Sequence, residues 1–214
     1  MKYSSRLKDI LIKLIMRIEF CIKETNLYNI AKHILGDIPY ITVSNNSITD
    51  AQYGTIISEG NSFAEINEGL DEVGINTHLF EFTPYRYLVQ QDLKSYINRY
   101  FAGELPVGQS ILIYTKHPKY KTLIYTPTMR ITEDVSKTIN AYLAFRSALL
   151  LMKENNISSA SVPIFCLGEG GMNIYKACYQ MKEAFKSLLS GNLIGKDWSY
   201  YLQNDRILHS VGST

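Results

Sequence analysis

The chain has 214 residues, 46% of them hydrophobic, with 22 basic against 20 acidic side chains and a net charge of +2. That length suits one domain with a substantial core. The near-neutral balance excludes the overall basic excess that marks many nucleic-acid or anionic-membrane binders. Cys21, Cys166 and Cys178 are spaced like neither a zinc site nor a disulfide framework, which suits a reducing compartment, and no metal or other cofactor is expected.

The first apolar stretch, Ile10 to Cys21, carries Lys13, Arg17 and Glu19, so it is too short and too charged to span a bilayer. A cytosolic location is expected, that of the host if the chain is viral or effector-derived. Leu7, Ile10, Leu11, Leu14, Ile15 and Ile18 recur at helical spacing, with Asp9, Lys13 and Arg17 opposite. This predicts an amphipathic helix. A second helix is predicted over Leu27 to Leu35, ending near Gly36. Residues 1–36 are thus expected to form a helical extension packed on the domain, with the first helix as a possible surface for a protein partner.

Tyr40 to Val43 reads as a strand and Asn45-Asn46-Ser47 as a turn. Thr55-Ile56-Ile57 is a β-branched run fit for a buried strand, and it feeds into Glu59-Gly60-Asn61-Ser62. Thr83-Pro84 opens a helix, carried on by Val89, Leu93, Tyr96, Ile97 and Tyr100 and closed by Gly103. Two strands follow, Ser110 to Tyr114 and Thr122 to Tyr125, joined by a turn around His117-Pro118. A helix is predicted from Asp134 to about Glu154, and a strand from Ser161 to Phe165. After Leu167-Gly168-Glu169-Gly170-Gly171-Met172 comes a helix with Ile174, Cys178, Met181, Phe185 and Leu188 on one face and Gly191 at its end. Trp198 to Leu208 reads as a short appended element. Strands alternating with helices predict an α/β domain over residues 37–192: a central, parallel or mixed sheet with helices on both faces. Residues 193–214 form a C-terminal extension.

Ligands of open α/β sheets sit beyond the carboxyl ends of the strands. Two junctions there stand out, residues 57–63 leading toward Gly69, and residues 167–172. Their glycines let backbone N–H groups approach an anion, and a helix N-terminus after each loop would add partial positive charge. The second loop is neither the dinucleotide fingerprint nor a P-loop. Asn61 offers an amide to ribose hydroxyls, or else an Asx-turn or helix cap. Glu59, Glu68, Asp71 and Glu169 are either cleft-mouth acids able to activate a water or solvated loop residues. His78 and His117 are weaker acid–base candidates.

The run Ile56-Ile57-Ser58-Glu59-Gly60-Asn61-Ser62-Phe63, followed by Glu68-Gly69-Leu70-Asp71, resembles the macro-domain signature. That signature is a hydrophobic strand, a loop with Ala-Asn, and a Gly-Gly pair before a helix. Residues 103–109, Thr115-Lys116-His117, Pro127-Thr128-Met129-Arg130 and residues 140–146 resemble a macro-domain-like branch described as phage-tail-like, in the same order. The resemblance covers residues 40 to 190. It implies a three-layer α/β/α fold and ADP-ribose, or a related ADP-ribosyl or NAD-derived nucleotide, as ligand. It further implies diphosphate on the amides of Gly60, Asn61, Ser62 and Gly69 and of Gly168, Glu169, Gly170, Gly171 and Met172, and the distal ribose at Asn61. Ser47 or, less well aligned, Asp50 stands nearest the position where many relatives hold an aspartate for the adenine. The chain departs from the pattern at Glu68, in place of a glycine, and at Glu169, near an expected threonine. Its second loop is about two residues short. Two readings stay open: an ADP-ribose binder, with Asn61, Glu68 and Asp71 as catalytic candidates for an ADP-ribosyl hydrolase, or a degenerate cleft on a non-catalytic interaction module. The partner is then free ADP-ribose or an ADP-ribosylated macromolecule, with no membrane and no strong nucleic-acid signal.

Overall fold

The computed structural model describes residues 16–65, 85–190 and 196–210. The described elements are β1 (Arg17–Cys21), α1 (Thr25–Leu35), β2 (Ile41–Ser44), a 3-10 turn (Ile48–Asp50), β3 (Thr55–Asn61), α2 (Tyr85–Phe101), β4 (Ile111–Tyr114), β5 (Thr122–Met129), α3 (Asn140–Glu154), β6 (Ser159–Val162), α4 (Ile174–Ser190) and α5 (Trp198–Ser210). The strands form one mixed sheet in the order β2-β1-β6-β3-β5-β4. All neighbours run parallel except β4, which lies antiparallel on β5 through the predicted turn around His117.

The strands alternate their side chains between two cores. Ile18, Phe20, Ile57, Ile124 and Val162 face one way, against Ala31 and Leu35 of α1, Phe145 and Leu149 of α3, and Ala177 and Phe185 of α4. Phe145 packs against Phe20 at 5.7 Å and edge-on against Phe165 at 6.0 Å between ring centroids. Cys21, Ile56, Leu123 and Tyr125 face the other way, against Val89, Leu93 and Ile97 of α2. The result is the expected helix–sheet–helix sandwich. No helix among the described residues is long and apolar enough to cross a membrane.

Four local expectations change. Ile18 does not continue a helix: Arg17–Cys21 is a strand between β2 and β6, and the chain before residue 16 lies outside the described residues. Every residue of this strand but Arg17 is buried, on both faces, and the apolar run that fits one side of a helix fits a central parallel strand as well. With α1 packed on α4, residues 17–35 are part of the domain and not an extension laid on it. β3 runs on through Asn61, and β5 runs past Tyr125 to Met129, through Pro127. Pro127 pairs with Gly60 but has no N–H to give to the ladder. The register slips there, so that Asn61 pairs with Met129 and Thr128 is the extra residue.

The helix predicted from Asp134 starts instead at Asn140. Asp134 accepts the N–H of Ser136, and the N–H of Val135 donates to Gly170 O, so residues 134–139 follow the glycine loop rather than a helix axis. The C-terminal element is a full helix. Asp197 caps it by accepting the N–H of Tyr200 at 2.9 Å. Its far end is tied down by Gln180 of α4. This fully buried amide donates to Leu208 O and Thr138 O and accepts the N–H of Tyr142.

Candidate functional site

The carboxyl ends of β3 and β6 lie side by side, because Ile56 pairs with Ser161. This adjacency brings the two predicted loops together. The end of β3 is built around Gly60. A Cβ there would stand 2.2 Å from the Tyr125 hydroxyl, so glycine alone leaves room for the ring beneath. The hydroxyl of Tyr125 donates to Asn61 O at 2.7 Å. The side chain of Asn61 folds back on its own loop. Its Oδ1 accepts the N–H groups of Phe63 and Glu65, and its Nδ2 donates to Glu65 O. This is the capping role that Asn residues take in turns.

The loop is clamped from both sides. The N–H of Ser62 donates to Arg130 O, and Ser62 O accepts the N–H of Leu105. Arg130 holds Glu104 through two hydrogen bonds and lies over the Phe63 ring. Lys94 of α2 pairs with Glu65 at 2.6 Å. Ser62 is buried, so its hydroxyl is part of the loop's interior. Gly69, Glu68, Asp71 and His78 lie outside the described residues.

After β6 the chain turns at Cys166, whose φ of +63° is a conformation that costs a non-glycine residue energy. The turn closes on itself: Gly171 N–H donates to Leu167 O and Gly168 O, and Met172 N–H to Cys166 O. The amides of Gly171 and Met172 are therefore spent within the loop, and the Met172 side chain belongs to the core. Among the described residues the N–H groups of Leu167, Gly168 and Gly170 make no intramolecular hydrogen bond. Gly168 and Glu169 are exposed and Gly170 is buried, where a Cβ would meet Cys166 O at 2.8 Å. Backbone donors left open in this way can receive an anion.

Glu59 joins the two halves. Its Oε2 accepts the N–H of Cys166 at 2.8 Å and the Thr128 hydroxyl at 3.1 Å. Burial pushes its carboxyl up to about 7, although the Cys166 and Thr128 bonds pull the other way. Sequence reasoning placed Glu59 among the cleft acids, with a solvated loop residue as its alternative; here it is held at the base of the glycine loop. The bulge beside Pro127, where its partner Thr128 lies, had no reading in the sequence.

Glu19 was missed. This buried carboxylate of β1 accepts hydrogen bonds from Ser44 of β2, Ser161 of β6 and the N–H of Gln52. Burial would raise it, but these bonds outweigh that and lower it below its usual value. It anchors the segment after the 3-10 turn, where Ser47 accepts the N–H of Thr49 as the turn's cap. The signal was one acid in an apolar run, Ile18-Glu19-Phe20-Cys21. His117 lies at the β4–β5 turn, at the sheet end opposite the cleft, and its Nδ1 accepts the N–H groups of Lys119 and Tyr120. Among the described residues there is no cluster of three or more metal-ligating side chains.

A mixed six-stranded sheet between helical layers, with a glycine-rich turn after β6 beside the end of β3, is the architecture of a macrodomain. Residues 87–181 match the family model of the Macro domain. The match spans 95 of the chain's 214 residues. The chain's fold is similar to the macrodomain of Mycobacterium tuberculosis DarG, at 18% identity and a TM-score of 0.52, over 68% of this chain and 89% of that one. It is also similar to a glycine-to-valine mutant of the Oceanobacillus iheyensis macrodomain with ADPR, at 21% identity and a TM-score of 0.53, over 75% and 87% of the two chains. The same Oceanobacillus iheyensis macrodomain with ADP gives 19% identity and a TM-score of 0.53, over 75% and 85%. No curated protein matches the chain in sequence.

Proposed function

We propose that this protein binds ADP-ribose or a related ADP-ribosyl nucleotide at the carboxyl ends of β3 and β6. The observation that carries this reading is the row of unspent amides at Leu167, Gly168 and Gly170, directly beside the end of β3. Such a row meets a diphosphate without needing a lysine or arginine. Macrodomains of similar fold with ADPR and with ADP support it. In this reading Gly60 and Ser62 shape the near wall, Ser47 stands on the adenine side, and the distal ribose lies toward Asn61 and Gly69.

Whether the bound nucleotide is also cleaved is a further step. The hydrolase form of the proposal assigns Asn61, Glu68 and Asp71 to positioning a water against the ribosyl bond. A non-catalytic module is the second reading, favoured by the engagement of the Asn61 amide with its own loop. Both belong in a cytosolic setting, with an ADP-ribosylated macromolecule as partner.

Calorimetry with ADP-ribose tests the binding. Gly168→Glu places a carboxylate on the exposed amide row and is expected to weaken affinity at least about tenfold while the fold is kept. Wild-type protein that gives no heat and no thermal shift at millimolar ADP-ribose overturns the proposal. Release of ADP-ribose from modified protein or nucleic acid, abolished in Asn61→Ala, Glu68→Ala or Asp71→Ala, separates the hydrolase from the module.

A further inference from the structure

We propose that Glu59 is a proton-linked gate on this anion site: its carboxylate occupies the first amide of the glycine loop, and a diphosphate on the next amides binds together with a proton taken up by Glu59. The inference rests on the ADP-ribose reading given above.

One oxygen of Glu59 holds both the Cys166 N–H and the Thr128 hydroxyl. Cys166, four residues beyond β6, opens the glycine loop in a left-handed conformation, and the amides of Leu167 and Gly168 come next. An internal anion therefore sits at the start of the row that would receive an external one. Two negative charges this close repel, and the repulsion is strong where water is excluded. Protonation removes it, and the unprotonated oxygen of the acid still accepts the Cys166 bond.

Among the described groups whose charge couples to it, Glu59 is the one that titrates near neutrality. From β5 Thr128 faces it, and its charge reaches the Tyr125 phenol on the other side of the sheet and the Cys166 thiol of the loop. Burial first, and then the charge of Glu59, pushes both well above their usual ranges, so they stay neutral. The charge of Glu65, further along the β3 loop, also reaches Tyr125, and Glu169 stands exposed on the glycine loop. The neighbouring cations, Lys94 of α2 and Arg130 after β5, are paired with Glu65 and Glu104. Burial holds the Glu59 carboxyl at about 7, so half of the molecules carry its charge near neutral pH.

An incoming phosphate anion stabilises the protonated form, so Glu59 holds its proton more tightly in the complex than in the free protein. Binding then takes up a proton above about pH 7, and affinity falls as pH rises, by up to about tenfold per pH unit. ADP-ribose is a diphosphate diester, fully ionised throughout this range, so the ligand contributes no such dependence.

The test is calorimetry of the full chain with ADP-ribose, at about pH 6, 7 and 8, in HEPES and in Tris, whose ionisation heats differ. Expected for the wild type are a buffer-dependent heat, reporting proton uptake, and a dissociation constant that rises with pH. Glu59→Gln keeps an acceptor for the Cys166 N–H but cannot titrate. It is expected to bind with a pH-flat affinity, tighter than wild type at about pH 8, and with no buffer dependence. Binding without proton uptake in the wild type overturns the proposal, as does a Gln variant that keeps the wild-type slope. No binding at any pH overturns the ADP-ribose reading and this proposal with it. Should the variant not fold, the wild-type buffer comparison decides, together with the Cys166 amide resonance, which must titrate near pH 7 in the free protein.

Discussion

Gly60→Ala is the sharpest test of how the end of β3 is built. The new Cβ would lie 2.2 Å from the Tyr125 hydroxyl oxygen, 2.6 Å from its Cζ and 2.7 Å from its Cε2. All three distances are below any contact a methyl group tolerates, so the ring or the strand must move. The ring is fully buried and cannot swing into solvent. Overpacking of this kind costs about 1–3 kcal/mol. Losing the hydrogen bond from Tyr125 to Asn61 O adds about 1 kcal/mol. Restricting the unfolded chain returns about 0.4–1 kcal/mol. The clash wins, and the net loss is about 2 kcal/mol, a fall in Tm of about 4–8 °C for a domain of this size. Gly54→Ala is the control, because its nearest neighbour would be Lys119 O at 3.2 Å. The same entropy gain offsets that milder contact, and a change within about 0.5 kcal/mol is expected. Urea unfolding of both variants measures the difference. A Gly60→Ala protein no less stable than Gly54→Ala would refute the claim that Tyr125 excludes every other residue at that position.

Two further outcomes follow from buried polar groups. Gln180→Leu leaves Thr138 O, Leu208 O and the Tyr142 N–H without their partner, and should cost about 2–4 kcal/mol. It should also speed tryptic cleavage at the exposed Arg206 of α5; an unchanged cleavage rate would mean that Gln180 does not hold the helix. Glu19 is lowered in the folded protein, so the stability it contributes is present above the usual carboxylate value of 4.5 and is lost as pH falls through its folded value. Glu19→Gln should flatten the acid limb of the unfolding free energy measured by urea between about pH 3 and 6, and a limb of unchanged slope would rule Glu19 out as its source.

Much of the α/β sandwich was legible in the residues. Thr55-Ile56-Ile57, Leu123-Ile124-Tyr125 and the 3.6-residue stripes of α2, α3 and α4 each hold enough apolar periodicity to declare their type without a partner. Even the two loops that meet at the cleft were marked by their glycines. The strand Arg17–Cys21 was not legible, because an apolar run buried on both faces carries no period of its own, and only its neighbours β2 and β6 decide that it extends the sheet. The same holds for Asn140 as the start of α3. Local signals favoured Asp134, and the bond from Val135 to Gly170 O overrode them.

The site divides along the same line. Residue types along the chain marked Gly60, Asn61 and residues 167–172 as the two loops of the candidate site, since glycine and asparagine declare local backbone needs wherever they stand. Only the tertiary structure decided that Asn61 caps its own loop, that Met172 is core, and that Glu59 reaches across from β3 to the Cys166 amide beyond β6. The last of these depends on the distance between segments 107 residues apart in the chain, joined by the 2.8 Å bond from Cys166 to Glu59. A charge takes its meaning from what surrounds it, and β6 and the bulge at Pro127 supply those surroundings from elsewhere in the sequence.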